Sequence, residues 1–150
     1  MLAEAGADVL ACETIPSLAE AEALAAELAA LGVPAWISLT AVGDRTRLGE
    51  PASEAYAIAA EVPDVVALGA NCCDPGDAAA VAGAVGGRRP VVFYPNSGES
   101  WDAEERRWTG RGAIRGNARA WVASGVRALG GCCRVTPDRI ARMAGELTGR

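Results

Sequence analysis

Short apolar runs rich in β-branched residues alternate along the chain with longer stretches in which Ala, Leu and Glu recur at helical spacing, and Gly and Pro separate one from the other. The runs at residues 7–12 (ADVLAC), 35–39 (AWISL), 65–69 (VVALG), 90–93 (PVVF) and 126–130 (VRALG) read as strands. Each is almost wholly apolar, as strands of a parallel sheet are when both faces are covered. Residues 17–31 (SLAEAEALAAELAAL) form the clearest helix. Ser17 stands at its cap, Glu20 completes a capping box, and Gly32 ends it. Further helices are expected at 54–61, 78–85, 116–124 and 137–147, the last with Thr136 as cap and Pro137 in its first turn. The pattern is β then α, repeated, with no linker, low-complexity tract or charge block. It predicts one α/β domain over residues 1–150.

Polar residues gather just beyond the C-terminal ends of the predicted strands. The first strand runs into Glu13 and Thr14, the second into Thr40, the third into Asn71, Cys72 and Cys73, the fourth into Tyr94, Asn96 and Ser97, and the fifth into Cys132 and Cys133. In α/β folds this is the face on which sites assemble, because the βα loops converge there on a rigid sheet. Loops are polar in any case, which accounts for part of the pattern. It does not account for four thiols.

Composition narrows the chemistry further. With 51% apolar and 22% charged residues in 150, the chain can bury a core. The fourteen cations are all Arg and are scattered over a net charge of −5, so no basic stripe offers itself to nucleic acid. No apolar run has the length of a membrane span and the first Arg is Arg45, so neither a span nor a positive leader is expected, and the cytoplasm is the expected compartment. The absence of His and Lys excludes Ser-His-Asp and Cys-His nucleophile pairs, Schiff bases and a Walker A loop. Catalysis must then rest on Cys, carboxylates, Arg, Tyr, amides or a metal.

Cys12, Cys72, Cys73, Cys132 and Cys133 are the conspicuous resource. An odd number in a reducing compartment argues against a disulfide framework. Three alternatives stand on spacing alone: a metal site, buried inert thiols, or redox-active thiols. Two vicinal cysteines cannot point the same way along an ideal strand, but after Gly130 and Gly131 the chain is free to turn both sulfurs toward one point. Cys72 would supply a third.

The segments GADVLACETIP, LGANCCDP, YPNSGESWD and ALGGCCRVTP together resemble the homocysteine S-methyltransferases, which are zinc-dependent (β/α)8 barrels. The resemblance covers essentially the whole chain. It implies Cys72, Cys132 and Cys133 as ligands of Zn²⁺ and leaves Cys73 and Cys12 as non-ligands, Cys12 as a packed thiol. It implies that Glu13 meets the amino group of homocysteine; a loop ion pair is the structural alternative. Thr40, with Ser38, is assigned to the substrate carboxylate. Asn96, in the Tyr94–Glu99 segment, is assigned to the pocket lining, or else to shaping its turn. Arg134 is expected to anchor a loop, and Trp101 and Trp108 to pack, or to face a cationic donor. The implied reaction is transfer of a methyl group from a sulfonium such as S-methylmethionine or S-adenosylmethionine to homocysteine, giving methionine. A thiol-rich zinc-binding chain without turnover, and the homocysteine module of a cobalamin-dependent methionine synthase, are the alternatives.

Members of that family are about twice as long, and the five predicted strands correspond to strands four to eight of the barrel. The expected fold is therefore a partial (β/α)8 barrel, the C-terminal part of the family's domain. The missing strands raise three possibilities: a longer gene, a separately encoded N-terminal half, or self-association through the open sheet edges.

Overall fold

The structure is a computed structural model that describes residues 2–110, 112 and 118–149. In chain order its elements are β1 (Leu10–Ile15), α1 (Leu18–Leu31), β2 (Ala35–Leu39), a small hairpin of β3 (Ala41–Val42) and β4 (Arg45–Thr46), α2 (Ala52–Ala60), β5 (Val65–Asn71), a 3₁₀ turn (Pro75–Asp77) leading into α3 (Ala78–Val85), β6 (Val91–Tyr94), a second hairpin of β7 (Ser100–Asp102) and β8 (Arg107–Thr109), α4 (Ala118–Ala123), β9 (Val126–Leu129) and α5 (Pro137–Thr148).

The five long strands form one parallel sheet in the order β1-β2-β5-β6-β9. Each new strand adds on the same side of the last. Right-handed crossovers in a constant direction put every helix on one face, which is the construction of a (β/α)8 barrel wall and not of a doubly wound sheet. The expectation of a partial barrel with five parallel strands is met. Ile37, Leu39, Leu68, Ala70, Val91, Phe93 and Val126 are buried and, with Leu28, Tyr56, Val81, Val85 and Trp121 from the helices, make up the core. Phe93 and Trp121 meet edge to face at 5.4 Å. The opposite, barrel-facing side of the sheet carries Trp36, Ser38, Gly69, Asn71, Val92 and Tyr94, which follow from the strand registers. Gly69 is required there: a Cβ would run into the carbonyl oxygen of Val92 on the neighbouring strand.

Several details differ from the sequence expectation. The first strand is Leu10–Ile15, not residues 7–12, because pairing with β2 begins where Leu10 N–H reaches Pro34 O, while the stretch before it turns on itself. Glu13 and Thr14 thus lie within β1 and not beyond it. The second helix starts two residues early, with Pro51 at its cap. Of the expected helix at 116–124, residues 116 and 117 lie outside the described residues. Ser17 caps α1 by accepting from Glu20 N–H, whereas Thr136 makes no side-chain cap bond to α5. The two hairpins escaped prediction, being two or three residues a strand. Among the described residues no helix is long and apolar enough to cross a membrane.

Candidate metal centre

The loops after β5 and β9 bring three thiols together. Asn71 ends β5, and Cys72 turns away from the strand with φ +52°, a left-handed conformation that costs a non-glycine residue of the order of 1 kcal/mol. That turn separates the vicinal pair. Cys72 Sγ faces the cluster, whereas Cys73 is sunk into the core. After β9, Gly130 and Gly131 lead into Cys132 and Cys133, and Gly131 has no room for a side chain because Val135 packs against its Cα. Sγ of Cys133 lies 3.8 Å from Cys72 Sγ and 3.9 Å from Cys132 Sγ, and the three sulfurs all fall within 4.8 Å of one another. Burial, and then the neighbouring Cys132 and Cys72 sulfurs, push the Cys133 thiol up to about 12. All three thiols are half-buried and converge on one point, so the cluster is a donor set that can hold a metal ion.

The Tyr94–Ser97 segment is laced between the two cysteine loops. Cys72 N–H donates to Tyr94 O at 3.4 Å, Asn96 N–H to Cys73 O at 3.0 Å, Cys132 N–H to Pro95 O at 2.8 Å and Ser97 N–H to Cys133 O at 3.0 Å. Asn96 Oδ1 accepts from Cys133 N–H at 3.1 Å. Asn96 therefore shapes the turn, and it also lines the cavity above the thiols. Arg134 anchors this frame as expected: its guanidinium grips Glu99 at 3.0 and 3.3 Å, and Ser97 Oγ donates to the same carboxylate at 2.8 Å. Arg134, followed by Ser97, holds the Glu99 carboxyl below its usual range.

The cavity, of about 720 Å³, is lined by Cys72, Cys133, Thr40, Asn96, Arg47 and the Trp101–Trp108 pair, among others. The two indoles meet edge to face at 5.4 Å, so each packs on the other while both border the cavity. Thr40 is nearly buried and its hydroxyl donates to Cys72 O at 3.3 Å. Ser38 Oγ is buried beside the Tyr94 hydroxyl, close enough to act on it without a well-aligned hydrogen bond. Glu13 is exposed on β1, away from the thiol loops in sequence but close enough to Tyr94 to act on it: burial first, and then the Glu13 carboxylate, push the Tyr94 hydroxyl up to about 12. That hydroxyl accepts from Trp36 Nε1 at 3.1 Å. Cys12 packs on the core side and burial raises its thiol.

Asn71 escaped the sequence assignment. It is 1% exposed, and its carboxamide makes two 2.8 Å bonds with Thr14 and approaches Cys132 Sγ at 3.9 Å.

The homocysteine S-methyltransferase family model matches residues 1–147. The chain belongs to the homocysteine S-methyltransferase family. Within this family it is 42% identical to the homocysteine S-methyltransferase of Escherichia coli (strain K12), over 95% of this chain and 48% of that protein. It is 39% identical to homocysteine S-methyltransferase YbgG of Bacillus subtilis (strain 168), again over 95% and 48%. The crystal structure of the homocysteine methyltransferase MmuM from Escherichia coli in its metallated form superposes with a TM-score of 0.77 at 37% identity, covering 97% of this chain and 47% of that one. The chain thus spans about half the length of the homocysteine S-methyltransferases it matches.

Proposed function

We propose that residues 1–150 serve as the C-terminal part of a homocysteine-binding barrel, and that Cys72, Cys132 and Cys133 hold a Zn²⁺ at which homocysteine is methylated by a sulfonium donor. The observation that carries this is the sulfur spacing. Four tetrahedral ligands at about 2.3 Å from zinc stand about 3.8 Å apart, and the two closest pairs here are at 3.8 and 3.9 Å. Bound zinc supplies a fourth position that keeps an incoming thiol ionised near neutral pH, which a chain without His or Lys cannot do by a side-chain base.

The chain's own residues then orient and exclude. Glu13 holds the amino group of homocysteine by a charge-assisted hydrogen bond. Thr40 lines the pocket and would turn its hydroxyl from Cys72 O to meet the substrate carboxylate, and Asn96 holds the Cys133 turn while bordering the pocket. The homocysteine sulfur forms a bond to the methyl carbon as the carbon–sulfonium bond breaks, so the donor leaves as a neutral thioether and needs no proton. Charge is lost in that step, which suits a cavity walled by Trp101 and Trp108: a face of either ring can meet the cation before transfer and has no hold on the product. S-Methylmethionine and S-adenosylmethionine both fit this chemistry. Free thiols of this kind belong in a reducing compartment, and we place the chain in the cytoplasm.

A second reading, zinc binding without turnover, is favoured by the outer edges of β1 and β9, which pair with no strand among the described residues. We propose that a complementary barrel half, from the same polypeptide, a separate one or a second copy, covers those edges in the active state. The test measures zinc stoichiometry and homocysteine-dependent methionine formation on the purified chain, with and without a co-expressed front part carrying the remaining three strands. Zinc at one per chain with turnover in the complemented sample supports the enzyme. Zinc without turnover in either sample supports the second reading, and neither metal nor turnover contradicts both.

A further inference from the structure

Cys12 pairs with Ile37 and Ile15 with Leu39, so β1 carries one residue more than β2 across this interval. The bulge falls directly after Glu13, and Thr14 takes a left-handed φ of +65° within it. Such a conformation in a β-branched residue must be held from outside. It is held by Asn71, 57 residues away and two strands across the sheet: Asn71 Oδ1 accepts from Thr14 N–H, and Asn71 Nδ2 donates to Thr14 Oγ1, both at 2.8 Å. The bond that a regular ladder would give to the Thr14 amide is supplied by a side chain. The same carboxamide lies against Cys132 Sγ, and the next residue in the chain is Cys72.

We propose that Asn71 is a positioning residue that fixes the span between the thiol cluster and Glu13, and so matches the site to an amino-acid thiol with the length of homocysteine. The proposal rests on the functional reading above, in which Glu13 takes the amino group. Asn71 touches no reacting atom. It acts by locking the bulge that aims Glu13 to the loop that carries the metal ligands. Without it the Thr14 amide loses its partner, and β1 is free to relax toward a regular register in which Glu13 turns or slides.

The experiment loads the whole chain with cobalt(II), whose thiolate bands report a fourth sulfur, and measures dissociation constants for homocysteine and for 4-mercaptobutyrate. The second probe has the same thiol reach and carboxylate but no amino group. For the wild-type chain, homocysteine should bind ~10-fold tighter, the amount a charge-assisted hydrogen bond provides. Asn71→Ala should remove most of that advantage while 4-mercaptobutyrate stays within about twofold and cobalt uptake is unchanged, because the amino anchor alone is displaced. Thr14→Val, which deletes only the hydroxyl partner, should lose part of the advantage, and Thr14→Ser should restore it.

Equal weakening of both thiols in Asn71→Ala would overturn the proposal, since Asn71 would then serve only the metal; so would no change in either. If Asn71→Ala takes up no cobalt, Thr14→Val and Thr14→Ser decide by the same comparison. A wild-type chain that binds cobalt but treats the two thiols alike contradicts the role of Glu13, and one that binds no cobalt contradicts the metal site, so a failure of the functional reading is told apart from a failure of the clamp.

Discussion

At the scale of single residues, Cys72 and Cys73 are neighbours with opposite fates. The left-handed turn at Cys72 delivers one sulfur to the cluster, and burial in the core raises the other thiol far above its ordinary value. Replacing Cys132 with Ser should abolish tight zinc binding, whereas Cys12→Ser should leave metal content intact; metal analysis after dialysis against a weak chelator checks both. Glu99 gives a pH signature. Its carboxyl is held low by Arg134 and Ser97, so its contribution to stability is present above the ordinary value of 4.5 and is lost as pH falls through the lower, folded value. Thermal unfolding of the wild-type chain and Glu99→Gln should differ at pH 6 and converge at strongly acidic pH. A gap that persists at low pH would assign the effect to packing. The three-thiol cluster was legible only through the family resemblance, because two vicinal cysteine pairs at strand ends leave metal, inert and redox thiols all open on spacing. Asn71 and Thr14 were not, since a carboxamide and a hydroxyl at strand ends are commonplace, and only the bulge makes them partners.

Among the elements, the strands were legible to within a residue or two wherever both faces are covered, as in β2, β5 and β6. The first strand was misplaced by three residues because its barrel-facing side is open, so Glu13 and Thr14 break the apolar run that marks the others. The hairpins β3–β4 and β7–β8 carry too few residues to show an alternation, and they are held by contacts that sequence does not display, among them the Trp101–Trp108 pair. At Gly69 the sheet itself sets the residue. Gly69→Ala should force β5 and β6 apart and destabilise the chain by roughly 2–4 kcal/mol, read as a lowered denaturation midpoint. An unchanged midpoint would mean that the two strands do not approach as closely as described.

For the whole molecule, the constant direction of strand addition makes this sheet an arc of a barrel wall, with helices on the outside and the thiol loops at the C-terminal ends of the strands. Every proposed functional residue lies on the barrel-facing side of a strand or in a loop just past one, and the arc by itself brings the three thiols of its loops together. The barrel's closure is what would shield them from water. The fold class could be read from the repeated β-then-α pattern; which edges stay open could not, because pairing partners outside the chain leave no periodicity within it. The measurement that bears most directly on the account is X-ray absorption at the zinc edge on the metal-loaded chain, with stoichiometry determined on the same sample. One zinc per chain with three protein sulfurs at about 2.3 Å, reduced to two when Cys133 is replaced by Ser, is the predicted result; a chain that takes up no zinc, or a first shell with fewer than three sulfurs, would contradict it.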